Sequence, residues 1–183
     1  MHALVLTKHQ EGEDSAAIEV FSATHGRELV RVKAALKMNS KLRYGCEPFS
    51  TIEAEVVAAK RGLLATSLVL TALRPAIRED PMRLLAAFAV CEAVSELTPE
   101  GLPEPDLFLL LGAALDELAY QESSRCIVVV EQFFWNLFTI LGIGKTEGDN
   151  LLGYASHAET HFSATLPSAV FLAGISRTPF VHQ

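Results

Sequence analysis

The spacing of apolar and polar residues changes character near Leu73. Before that point it is strand-like. "ALVLTK" is a short apolar run. In "AAIEVFS", Ile18 and Val20 fall on one side and Glu19 and Phe21 on the other. "THGRE" supplies a turn, with Gly26 able to take positive φ. "ELVRVKAA" alternates again, with Val30, Val32 and Ala34 facing one way and Arg31 and Lys33 the other. "STIEAEVVA" places Ile52, Ala54 and Val56 inward and Glu53 and Glu55 outward, and "RGLLATSLVLTAL" is a last strand entered through Gly62. Five short strands separated by turns predict a small barrel or sandwich, and a five-stranded OB-type barrel fits the count.

Beyond "RPAIRED" the period becomes helical. Asp80 is a candidate N-cap and Pro81 suits a first helical turn. "PMRLLAAFAVCEAVSEL" is apolar almost all round, which predicts a largely buried helix. "TPEGLPEP" is rich in helix breakers. Pro105 and Asp106 then open a second helix through about Tyr120. Ser123 and Ser124 are candidate caps for a third, "RCIVVVEQFFWNLFTILGI", which Gly142 and Gly144 stop. From Leu151 no clean period emerges, and "AVFLAGIS" reads as a short strand or a buried turn. The predicted fold class is therefore α+β. An N-terminal five-stranded OB-type barrel (residues 1–75) precedes an α-helical domain (residues 76–183).

Length and charge refine this picture. With 183 residues and half of them apolar, the chain can bury a substantial core. Its longest strongly apolar run, about Leu107 to Leu115, is too short to span a bilayer. The start "MHALVLTKHQ" lacks the basic and long apolar regions of a signal peptide, so a cytoplasmic protein with no membrane partner is expected. Cys46, Cys91 and Cys126 lie far apart without CxxC spacing, which predicts small buried hydrophobes, not a disulfide framework. The formal net charge of −7 is uneven. Residues 1–62 carry +1 and residues 63–183 carry −8.

Most of the conceivable chemistry is absent. "GIGKTEGD" lacks the first glycine of a phosphate loop, because Thr139 stands five residues before Gly144, and it follows a helix where the motif needs a strand. "HAETH" puts His157 and His161 on one helical face, but no third ligand lies nearby. No nucleophile–base–acid set is discernible, and Phe133, Phe134, Trp135 and Phe138 have core-like helical spacing. No catalytic residues, metal or cofactor are expected.

The segment Leu29–Ser50 stands apart. It holds Arg31, Lys33, Lys37, Lys41 and Arg43 against a single acid, Glu47, with Tyr44 beside them. Cations tracking a groove neutralise phosphates, and an aromatic face stacks a base. A solvated, basic strand-plus-loop is the plain alternative.

The order of these features resembles the bacterial recombination-mediator family RecO. The resemblance rests on "ALVL" at Ala3 to Leu6, the acidic turn Gly12 to Asp14, and "KAALKMNSKL" followed by "EPF". "RGL" at Arg61 to Leu63, "IRED" at Ile77 to Asp80 and "LTPEGLPEPDLFLLLGAALDEL" continue it. It implies binding of single- and double-stranded DNA, strand annealing, and recombinase loading onto DNA coated with single-strand-binding protein. It implies a RecR-type partner, the tail of the single-strand-binding protein as another, and a nucleoid-associated location. Its DNA-contacting tract aligns with Lys33 to Leu42, and with the neighbouring cations and aromatic the expected DNA-binding set is Arg31, Lys33, Lys37, Lys41, Arg43 and Tyr44. The family tract is richer in arginine, and here Leu36, Met38 and Asn39 stand where basic residues or proline are common. An adaptor that binds protein partners without gripping DNA is the alternative. Many members carry a four-cysteine zinc module. Here Tyr154 and His157 occupy one such spacing and Leu172 and Ile175 the other, so no zinc is expected, and the chain reads as a shortened version.

Overall fold

A computed structural model describes residues 1–37, 40, 42–60, 62–143 and 150–177. Five strands form a closed barrel: β1 (His2–Glu11), β2 (Ser15–Ser22), β3 (Gly26–Val32), β4 (Thr51–Ala59) and β5 (Gly62–Ala72). Their order around the barrel is β1-β2-β3-β5-β4, with β4 returning to β1. All neighbours are antiparallel except β3 and β5, which close the barrel in parallel through Val30–Leu63 and Arg31–Leu64. This is the predicted OB-type barrel.

The alternation in the sequence sets which residues line the interior. Ile18 pairs with Val30, Ala3 with Ile52, and Ala54 with Leu68, and all six are buried. A register shift between Val5 and Thr7 turns the second half of β1, so that Thr7, His9 and Glu11 stand opposite Glu19, Ala17 and Ser15. Phe21, on the opposite side of β2 from Ile18 and Val20, is also fully buried, beside its cross-strand partner Leu4.

The chain divides into two compact units. The first comprises Met1–Arg74 together with Thr98–Leu109, and the second Pro75–Leu97 with Leu110–Gln183. In the first, the loop after residue 97 lies along β3. Arg27 donates from Nε to the Thr98 carbonyl at 3.0 Å and from Nη1 to Glu19 Oε1 at 2.7 Å. The Gly101 N–H donates to the Arg27 carbonyl. Arg74 is buried and donates to the Phe49 carbonyl at 2.8 Å and to Thr51 Oγ1 at 3.1 Å.

The helical elements are α1 (Pro75–Glu79), α2 (Pro81–Leu97), α3 (Pro105–Tyr120), α4 (Cys126–Ile140), α5 (Leu151–Phe162) and α6 (Pro167–Arg177). Asp80 caps α2 as predicted, its Oδ1 accepting from the N–H groups of Met82 and Arg83 at 2.8 and 2.9 Å. Ser123 and Ser124 do not cap α4. They lie in a short 3-10 turn, and Ser123 Oγ donates instead to Asp80 Oδ2. Gly142 ends α4 with φ +68°, while Gly144 lies outside the described residues. On α4, Phe133, Phe134 and Phe138 are buried, whereas Trp135 is exposed.

The tail departs from expectation, because "AVFLAGIS" belongs to a helix. Leu166, Ala169, Leu172 and Ala173 are buried at helical spacing, and Pro167 provides the first turn. Asn150 caps α5 by accepting from the Gly153 N–H at 3.1 Å. Glu92 on α2 reaches the start of α6, where it accepts from the Ser168 N–H at 3.0 Å and from Ser168 Oγ at 3.4 Å. Burial pushes the Glu92 carboxyl up, and the Ser168 hydrogen bonds only partly offset this. Glu92→Ala should cost about 1–2 kcal/mol in denaturant unfolding, because it strands a donor at a helix start. Glu92→Gln keeps an acceptor, removes the desolvated charge, and should cost less.

Candidate nucleic-acid interface

The segment between β3 and β4 is built from successive tight turns. β3 ends at Val32, so Lys33 leaves the strand face that it was predicted to share with Arg31. The cause is local: Ala34 takes φ +55°, which no extended strand tolerates. The Lys37 N–H donates to the Ala34 carbonyl, Ser40 to Lys37, Arg43 to Ser40, and Cys46 to Arg43. Phe49, also at positive φ, returns the chain to the barrel by donating to the Val5 carbonyl at 2.8 Å.

Apolar residues of this segment face the barrel. Ala35 and Cys46 belong to its buried core, and Leu36 and Leu42 pack against that core. Leu36 therefore has a structural reason to be apolar where the resembling tract carries cations. Burial pushes the Cys46 thiol up to about 11, so it stays protonated and packs as a small hydrophobe. Cys91 and Cys126 are likewise buried.

Four polar residues of the segment point outward, while Ser50 is buried. Lys33, Lys37, Arg43 and Tyr44 are exposed, with Tyr44 64% accessible. Lys41 lies outside the described residues, as do Met38 and Asn39. Lys33 and Arg43 have no ion-pair partner among the described residues. Arg31 and Lys37 do. Arg31 Nε lies 3.1 Å from Glu11 Oε1, and Lys37 Nζ lies 3.8 Å from Asp14 Oδ2. The Arg31 Nε–H is buried but out of line for a hydrogen bond, so this contact is Coulombic. Lys8 on β1 holds the far end of the loop through Glu47 at 2.7 Å. The pairing of Glu11 and Asp14 with Arg31 and Lys37 depends on strand register, which residue composition does not carry.

His157 and His161 do share a face of α5, with ring centroids 4.2 Å apart, and His157 sits edge-on to Phe138. No group of three or more metal-binding side chains occurs among the described residues. Tyr154 is buried in a cluster with Phe134 and Phe138, and Leu172 is buried. The positions that match a zinc module therefore offer no donor set. A groove of about 700 Å³ beside α5 and α6 is mainly apolar and includes Glu159 and Phe171. The residues of "GKTEGD" lie outside the described residues.

Desolvation, and secondarily His161, hold the His157 imidazole below its usual range. The folded state thus binds a proton there less readily than the unfolded chain. That stability is complete above the ordinary imidazole pKa and is lost as pH falls below it and through the lower folded value. Denaturant midpoints measured between neutral and mildly acidic pH should fall with pH, and His157→Leu should flatten the decline. A His157→Leu midpoint that falls with pH as steeply as the wild type's would contradict this placement of α5.

A closed five-stranded barrel in this order, with an exposed basic loop and a helical continuation, defines an OB-fold protein with an α-helical extension. Residues 1–72 match the family profile described as Recombination protein O N terminal, and residues 78–145 match Recombination protein O C terminal. The chain belongs to the RecO family, whose curated relatives are called DNA repair proteins. The relative from Pelobacter propionicus is 37% identical over 147 residues, covering 78% of this chain and 57% of its own length. That from Rhodospirillum rubrum is 27% identical over 144 residues, covering 77% and 56%. That from Pelotomaculum thermopropionicum is 30% identical over 148 residues, covering 76% and 54%. The chain thus spans about half the length of the curated relatives it matches. No helix among the described residues is long and apolar enough to cross a membrane.

Proposed function

We propose that the chain is a DNA-binding mediator of recombinational repair. In this reading it grips single strands through the β3–β4 loop and brings complementary strands together. The observation that carries it is the exposed set Lys33, Lys37, Arg43 and Tyr44 on one loop of an OB-type barrel. Arg31 and Lys41 complete the proposed contact set. The cations would neutralise phosphates, and Tyr44 would stack a base. Annealing then needs no bond chemistry, because lowering the repulsion between two phosphate chains lets their bases meet. Residues 1–75 would supply this grip, and residues 76–183 the contacts to a RecR-type protein and to the tail of single-strand-binding protein. Helping to load recombinase would follow from those contacts.

A second reading has a specific observation behind it. Glu11 and Asp14 already engage two of the cations, and the chain is acidic overall. An adaptor that binds only its protein partners would look the same. Anisotropy titration of a labelled single-stranded oligonucleotide at low salt separates the two. Saturable binding, together with faster annealing of complementary strands, supports the mediator. A flat titration alongside retained partner binding supports the adaptor.

A further inference from the structure

The acidic turn between β1 and β2 is fastened to the basic loop. The Leu36 N–H donates to the Asp14 carbonyl at 2.9 Å, so the two segments are joined through the backbone as well as through charge. Gly12, at φ +74°, lets the hairpin reverse there. From this turn Glu11 meets Arg31 and Asp14 meets Lys37. Each carboxylate stands where a phosphate oxygen would sit to use the same cation.

We propose that Glu11 and Asp14 are an internal counter-anion that competes with polyanions for Arg31 and Lys37 and so sets the affinity of the loop. This rests on the reading of the loop as a phosphate-binding surface and adds a regulatory element to it. The pairs are partly or largely solvated, with side-chain exposures of 25% and 40% for Arg31 and Glu11 and 59% and 58% for Lys37 and Asp14. Solvated pairs of this kind are weak. A strand that presents several phosphates at once displaces both carboxylates, whereas an isolated phosphate gains too little to do so. The device favours long polyanions over small ones.

The test compares the full chain with Glu11→Gln/Asp14→Asn and with a charge-matched control, Glu53→Gln/Glu55→Gln. The control residues are exposed on β4 and outside this contact. Two readouts are used: the salt needed to elute each protein from heparin, and anisotropy with labelled oligothymidylate. The hairpin variant should elute at higher salt than the control and bind the oligonucleotide about tenfold more tightly than the wild type. Equal elution of the hairpin variant and the control overturns the proposal, whatever the oligonucleotide does. Later elution with no oligonucleotide binding by any of the proteins upholds the competition and defeats the DNA reading instead. If the double variant does not fold, Asp14→Asn alone, at an exposed side chain, is compared with Glu55→Gln alone.

Discussion

Gly26→Ala should destabilise the barrel unit by about 3 kcal/mol. Two costs combine. Gly26 has φ +69°, a conformation that costs an L-residue about 1 kcal/mol or more. An added Cβ would also lie 2.1 Å from the Leu102 carbonyl oxygen and 2.4 Å from its carbon. Those are backbone atoms, which cannot swing aside as a side chain would. Relief would require displacing the 98–102 segment from β3, with loss of the Arg27–Thr98 and Gly101–Arg27 hydrogen bonds. Overpacking of this kind typically adds about 1–3 kcal/mol. Gly12 provides the comparison: its φ is +74°, but nothing lies within 4 Å of the added Cβ. Gly12→Ala should therefore pay only the conformational cost. Urea unfolding followed by circular dichroism compares the two. Equal losses would mean that the loop does not pack on β3 as described.

Charge reversal at Lys33→Glu/Lys37→Glu should weaken oligonucleotide binding by about two orders of magnitude at low salt. Both side chains are exposed and neither packs in the core, so the fold should survive. Each reversal removes an attraction and installs a repulsion toward the same phosphates, and at low ionic strength such contacts dominate affinity. The reversed Lys37 would also face Asp14, driving the hairpin and the loop apart. Binding that matches the wild type would remove the loop from the interface and favour the adaptor reading.

Much of the barrel was legible because a half-buried strand writes itself with a period of two. Ile18, Val20, Val30, Val32, Ile52 and Ala54 all face inward as their alternation requires. The parallel closure through Val30–Leu63 was not legible, since it joins distant residues and leaves no local signature. The recruitment of Thr98–Leu109 to the barrel unit was hidden for the same reason. At the site, the cations announced themselves by composition, but the end of β3 did not. Ala34 carries no mark in the sequence of its positive φ, and that angle is what removes Lys33 from the strand. Glu11 and Asp14 come opposite Arg31 and Lys37 only once the hairpin register is set. In the tail, the spacing of Leu166, Ala169, Leu172 and Ala173 held a helical signal that the exposed apolar residues Val170 and Phe171 between them obscured.

The most direct test of the central claim is the salt dependence of single-strand binding by the unmodified chain. Neutralising about four phosphates predicts a log–log slope of about −3 for affinity against salt. The same titration with Lys33→Glu/Lys37→Glu should give a slope closer to zero. A wild-type slope near zero, or no binding at the lowest salt, would contradict the account.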